Sequence, residues 1–525
     1  MLKRLSNFFG RAQVSAFTYA ENKNRLVLLF VAAFSLFLLT VSLDSVPPLW
    51  WDEGWTLSVA RNWLETGHYQ RLLAGHLVPH GLEAAPTVTG SIYIAFQLFG
   101  IGVFQARMVG VLYTLATLWV AYYLACRLYD RKIALTTLLI LTFTPAYIEL
   151  IPAYFGRQVL GEMPAMCFLL FGYATFLIVL RRHALWISLP IVFWSVALNT
   201  KAQILPFWLS SMVFPLGMLL YRKGWKSIHR FVLGCVGSLI GSQLLLKFWQ
   251  HFLWPDAPHR AMSGLYEVTA AVTSIPSRLF ALIVLVLFGL PTLAGLSHAA
   301  WSILTRPFSF EEPREYVRLS LLVLAASWFA WFVLLSVGWI RYIFPATFIG
   351  SIFVAAMIHD WTKGFDVSYT IQRVFDFWRG RGFNKEAIGA IFVAVFIITS
   401  VPRTAMAIYK TYILDADRSA QQAADFLNTR TRSDALIETY DSELFFLLNR
   451  AYHYPPDAIH VALIRRTFLY QDDTRIDYDP LAANPDYLVV GPHSKQWGLY
   501  DDVLRTGAFR LLQSYKRYRI YERIH

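Results

Sequence analysis

The chain has 525 residues, 56% of them hydrophobic and only 15% charged, with a mean hydropathy of +0.44. A water-soluble protein carries about a quarter charged residues, so the composition points to a membrane protein. The net charge of +13 does not indicate nucleic acid, because lysine and arginine fall in short gaps between apolar runs rather than on one stripe.

The N-terminus is basic (MLKRLSNFFGRAQ), but the apolar run behind it is long and lacks a small-residue cleavage site. A retained first transmembrane helix is expected rather than a cleaved signal peptide. Runs near the length that spans a bilayer fall at 25–43, 106–126, 133–151, 160–180, 184–200, 203–220, 231–252, 278–298, 318–337, 342–359 and 387–408. They predict a polytopic α-helical membrane protein of about eleven transmembrane helices. With the N-terminus in the cytoplasm, the gaps YDRK (129–132), RRH (181–183), YRKGWKSIHR (221–230), TRPFSFEEPREYVR and 360–386 fall inside. Nearly all are rich in Lys or Arg and the opposite gaps are poor in them, as the positive-inside rule requires.

Two outward segments are too long to be connectors. The first loop, 44–105, contains WTLSVARNWLE, whose apolar residues recur at helical spacing and predict helices lying in the interface plane. Trp50 and Trp51 are expected to settle at the headgroup level. The second is the polar tail, where DYLVVGPHS and FRLLQSYKRYRIYER are strand-like and SAQQAADFLNTR is helical. The expected division is a transmembrane module over 1–409 and a small soluble extracytoplasmic α/β domain over 410–525. Cys126, Cys167 and Cys235 lie inside apolar runs and suggest neither a disulfide framework nor a CxxC metal site.

Ionisable residues collect at the outer ends of the spans: Asp52 and Glu53 after the first, Glu83 in HGLEAAPTVTG, Arg157 and Glu162 in YFGRQVLGEMPAM, Lys201 in LNTKAQILP, and Arg341 with Tyr342 in GWIRYIFP. Singly, Arg157 and Lys201 read as interfacial anchors, and Asp52–Glu53 as a helix cap with a first-turn acid. Together on one side of the membrane they read as a cleft. The cations Arg157, Lys201 and Arg341 would hold the phosphate of a lipid-borne headgroup. A carboxylate would take the proton of an attacking hydroxyl or amine, with a lipid phosphate as leaving group stabilised by the same cations. No Gly-rich nucleotide loop is present, which fits a donor that carries its own energy.

WWDEGWTLSVARNWLETGHY resembles the first outer loop of the C-type glycosyltransferases, in the bacterial branch related to protein O-mannosyltransferases and the lipid A aminoarabinose transferase. EAAPTVTGSIYIAFQLFGIGVFQARMVG, GRQVLGEMPAMCFLLFGYATFL and WIRYIFPA resemble its following blocks, the last its RY-x-x-P motif. The likeness covers the first 210 residues well, the rest of the membrane part in outline and the tail hardly at all. It implies an inverting transferase that moves a sugar from a polyprenyl-phosphate donor to an acceptor outside the cytoplasm, in a bacterial plasma membrane. Asp52 would be catalytic, Glu53 would support it, and Glu162 would occupy a second acidic position where the family more usually has aspartate. Arg157, Lys201, Arg341 and Tyr342 would bind the donor phosphate, and Glu83 another part of the substrate.

The alternatives are a transporter or flippase of a lipid-linked or anionic substrate, a ligase-type glycosyltransferase, and a non-enzymatic scaffold. Transporters place polar groups and broken helices near the bilayer midplane, whereas here the polar groups lie at the outer rim. No metal ligands are assigned: His76 and His80 have i, i+4 spacing but flank Pro79 in an expected loop. A divalent ion beside Asp52 is left open by the resemblance, and no cofactor beyond the lipid-phosphate sugar is required. The acceptor, whether protein, lipid or glycan, is not legible.

Overall fold

The computed structural model describes residues 24–79, 81–181, 184–223, 228–253, 267–305, 311–380, 384–414 and 416–524. Each of the eleven apolar runs coincides with a helix: α1 (Asn24–Thr40), α4 (Val103–Leu128), α5 (Arg131–Phe143), α7 (Glu162–Arg181), α8 (Ser188–Thr200), α9 (Leu205–Lys223), α10 (His229–Leu253), α11 (Ile275–Thr305), α12 (Pro313–Leu334), α13 (Phe344–Trp361) and α15 (Lys385–Tyr409). Eight are long and apolar enough to cross a bilayer, and α1, α5 and α8 are shorter. The chain is thus a multi-pass membrane protein. Leu112, Trp119, Phe214, Leu244, Phe248, Ile283 and Ile398 are exposed on the outer faces of the bundle, where lipid rather than water is the apt solvent. Helix starts follow local rules. Asp130 caps α5 by accepting from Ile133 N at 2.9 Å, and prolines open α12 and α13 where their missing N–H costs nothing.

Two helices occupy the first loop, α2 (Trp51–Thr66) and α3 (Pro86–Phe99), joined by a ribbon of β1 (Arg71–Leu73) and β2 (His76–Val78). Short α6 (Pro152–Phe155) precedes α7, and α14 (Val367–Trp378) lies between α13 and α15. In the tail, a five-stranded sheet has the order β4–β3–β5–β7–β6. Strands β3 (Leu436–Thr439), β4 (Ala451–His453) and β5 (Tyr487–Val490) are parallel; β6 (Phe509–Ser514) and β7 (Arg519–Arg523) continue the sheet antiparallel. Helices α16 (Ser419–Arg430), α17 (Glu443–Leu447) and α18 (Asp457–Phe468) accompany it.

The tryptophans of the first loop do not all face headgroups, contrary to the expectation from their amphipathic rings. Trp51 and Trp55 are 5% and 3% exposed, covered by the tail, while Trp50 remains exposed. Trp51 donates its indole N–H to Tyr440 O at 3.0 Å and stacks on His460 with centroids 4.6 Å apart. Trp55 packs edge-on to Phe445 and Tyr454. A folded domain that buries a ring and also satisfies its N–H outcompetes the interface. Gly54 permits this approach, since a Cβ there would overlap the Ser442 carbonyl. Gly54→Ala is therefore expected to lift the tail from α2, at the ~1–3 kcal/mol typical of overpacking; a lower melting temperature and faster proteolysis of the tail would register it.

Candidate active site

One end of the bundle gathers the turns before α2, α7 and α13 and the turn after α8. Glu162 is the first residue of α7 and Lys201 follows the last of α8. A carboxylate at a helix N-terminus and an ammonium at a C-terminus are each favoured by the macrodipole, and these two form an ion pair. Arg341 and Tyr342 occupy a single 3₁₀ turn ahead of Pro345, fixed by Trp328 donating its indole N–H to Tyr342 O at 3.0 Å. Arg341 Nη1 reaches Asp52 Oδ2 at 2.5 Å. Its guanidinium lies 5.5 Å from the centre of the Tyr342 ring, and Lys201 Nζ lies 6.0 Å from that ring. Glu162, Lys201, Arg341 and Tyr342, with Met166 and Trp328, line a cleft.

The charges in this cleft are balanced and paired across segments. Burial by itself would raise the Asp52 pKa, but the Arg341 guanidinium more than offsets it and holds the carboxyl below the usual range. Burial likewise opposes the charged form of Arg341, yet Asp52 and Glu162 raise its proton affinity overall. His460, stacked behind Asp52 on Trp51, is pushed down to about 4 by burial, so its imidazole is neutral at pH 7. It shares a hydrogen bond of 2.5 Å with the Tyr440 hydroxyl. The arrangement offers an ionised carboxylate that is 30% exposed, two cations that a phosphate can claim, and an aromatic wall.

Asp52, Glu162, Lys201, Arg341 and Tyr342 therefore come together. Three other predicted site residues do not. Glu53, next to Asp52, points the opposite way and is fully buried, accepting from Arg107 Nε at 3.0 Å and Nη2 at 2.8 Å. It also accepts from Trp50 N at 2.9 Å and Val159 N at 3.1 Å, so its acceptors are committed to the framework. Arg157, expected at the donor phosphate, donates instead to Leu38 O at 2.9 Å and Val41 O at 2.5 Å and lies 5.0 Å from the Tyr412 ring. It satisfies the orphan carbonyls at the C-terminus of α1, a role that suits a cation there. Glu83 accepts from Gly81 N at 2.9 Å and lies 3.8 Å from Arg71. Arg71 in turn grips Asp457 of the tail with bonds of 2.9 and 3.1 Å, so Glu83 belongs to the tie between loop and tail.

Residues 84–245 match the family model of dolichyl-phosphate-mannose-protein mannosyltransferases. No curated protein matches the chain by sequence. ArnT from Cupriavidus metallidurans, solved bound to undecaprenyl phosphate, superposes with a TM-score of 0.62 at 16% identity, over 95% of this chain and 98% of that one. The chain has the ArnT fold. The oligosaccharyltransferase of Archaeoglobus fulgidus, in its apo form, is similar with a TM-score of 0.55 at 10% identity, over 90% of this chain and 70% of that one. The segment matched by the family model supplies Arg107, Arg157, Glu162 and Lys201; Asp52, Arg341 and Tyr342 lie outside it.

Sequence reasoning passed over Arg107 and the tail residues behind Asp52. Arg107 had a signal, since an arginine one turn into an apolar span is as uncomfortable there as Glu162. His460 had none, being one histidine in a polar tail. Among the described residues no three metal-ligand side chains gather at the cleft; the one such triple is Asp441, Glu443 and His493 in the tail. His76 is exposed on β2, and His80 lies outside the described residues.

Proposed function

We propose that the chain is an inverting glycosyltransferase. It moves a sugar from a polyprenyl-phosphate-linked donor to an acceptor on the outer side of a bacterial plasma membrane, with the N-terminus cytoplasmic. The observation that carries this reading is the pairing of Asp52 with Arg341 beside Glu162 and Lys201: four residues from four distant segments, of which Glu162, Lys201 and Arg341 line one cleft and Asp52 is held to it by Arg341. The fold shared with a protein solved on undecaprenyl phosphate, and the matched dolichyl-phosphate-mannose family, support a lipid-phosphate donor.

The donor phosphate competes with Asp52 for Arg341, and with Glu162 for Lys201. As Arg341 turns to the phosphate, Asp52 is released beside the anomeric carbon to act as general base on the acceptor's hydroxyl or amine. The acceptor oxygen or nitrogen bonds to the anomeric carbon, the bond to the lipid phosphate breaks on the opposite face, and the cations receive the leaving phosphate's charge. Residues 1–409 form the transferase module, and 410–525 a domain that holds the first loop over the cleft. Incubation of the purified protein with a radiolabelled polyprenyl-phosphate sugar and cell-envelope acceptors tests the activity. Label that stays on the lipid with every envelope fraction would count against it.

Arg341→Ala separates donor binding from folding. It is expected to raise the KM for donor at least about tenfold, the loss of one charge-assisted phosphate contact. The side chain is 18% exposed at a cleft, so the melting temperature should move little. An unchanged KM in an unstable protein would make Arg341 a structural anchor.

A further inference from the structure

We propose that Asp441, Glu443 and His493 bind a divalent cation of the zinc class, which fastens the tail to the turn that presents Asp52. The two carboxylates follow the carboxyl end of β3, and His493 follows the carboxyl end of its parallel neighbour β5. One ligand atom from each lies within 4.8 Å of the others. Two carboxylates and an imidazole suit zinc, leaving a position for water.

The burial calls for a cation. Asp441 is fully buried and Glu443 is 1% exposed, yet Glu443 Oε2 has no hydrogen-bond partner, and neither has His493 Nδ1. Buried carboxylate oxygens are normally paired, and two adjacent anions against one imidazole leave negative charge uncompensated. The remaining atoms are already oriented as ligands would be. Glu443 Oε1 accepts from the Tyr518 hydroxyl at 2.5 Å, and Asp441 accepts from Gly491 N at 2.9 Å, His493 N at 2.8 Å and Ser494 Oγ at 2.5 Å. Such outer hydrogen bonds fix the direction of a metal's ligands.

The position gives the cation a purpose. Between Asp441 and Glu443, Ser442 donates its hydroxyl to Trp51 O at 2.5 Å, and its carbonyl is what Gly54 accommodates. His493 stands edge-on to Trp50 at 5.3 Å. Fixing these three ligands therefore fixes Trp50 and Trp51 ahead of Asp52 and the approach at Gly54 beyond it.

The test uses the full chain in detergent, any affinity tag removed, stripped with EDTA and titrated with zinc. About one equivalent should bind per chain, and the melting temperature should climb with the logarithm of free zinc. Glu443→Gln and His493→Gln should each abolish uptake. Cobalt(II) soaked into the wild type should give visible d–d bands that zinc removes, a readout that needs no variant. Absence of uptake and of cobalt bands in the wild type, or uptake in both variants equal to that of the wild type, would overturn the site.

Discussion

Asp52→Asn is expected to lower kcat for sugar transfer by about 10²- to 10⁴-fold, the usual contribution of a general base, with the melting temperature in detergent unchanged. Amide for carboxylate keeps the shape and removes the proton acceptor. Stability should hold because Asp52 is 30% exposed and Arg341 keeps Glu162 nearby as a second anionic neighbour. The pH profile adds a sharper test. In the free protein, burial pushes the Asp52 carboxyl up, Arg341 outweighs that, and Lys201 acts in the same direction as Arg341. A donor phosphate that draws Arg341 away removes the offset, so the carboxyl titrates at higher pH in the complex. Because kcat/KM reports the free enzyme and kcat the complex, the acid limb of kcat should lie at higher pH than that of kcat/KM. Coincident acid limbs, or full turnover in the asparagine variant, would remove Asp52 from the role of base.

The membrane helices were readable because a bilayer imposes a local rule: a run of apolar residues of sufficient length has few other ways to satisfy its backbone. Asp52, Glu162, Lys201, Arg341 and Tyr342 were readable for a related reason, since charges at the ends of such runs need partners. Which neighbour each one meets was not. Asp52 and Glu53 are adjacent on one helix, about 100° apart around its axis, and only the packing decides that one faces the cleft and the other Arg107. Arg157 has the composition of a phosphate ligand, yet the carbonyls at the end of α1 claim it first. The tryptophans were misread because what covers Trp51 lies 389 residues away, at Tyr440. Local sequence reports which groups are costly to leave alone, and tertiary contacts assign their partners.

Arg107→Met should damage the protein more than any change at the cleft. Both members of the Glu53–Arg107 pair are 0% exposed, and deleting one partner of a buried pair costs about 3–5 kcal/mol because the other charge is left unpaired. Arg107 also donates to Leu43 O at 3.0 Å and Pro47 O at 2.7 Å, while Glu53 holds Val159 N. The pair thus joins the turn after α1, the start of α2, the span α4 and the segment before α7, and its loss should appear as a collapse in yield and melting temperature. Adding Glu53→Gln to Arg107→Met should recover part of the loss: Trp50 N and Val159 N reach different carboxylate oxygens, so the single amide oxygen can keep one of these bonds, and no unpaired charge is left buried. The double variant also separates the two acids of the first loop. If the recovered protein transfers sugar at close to the parental rate, Glu53 acts by holding the loop that carries Asp52. If it folds and remains inactive, Glu53 takes part in the chemistry despite its burial.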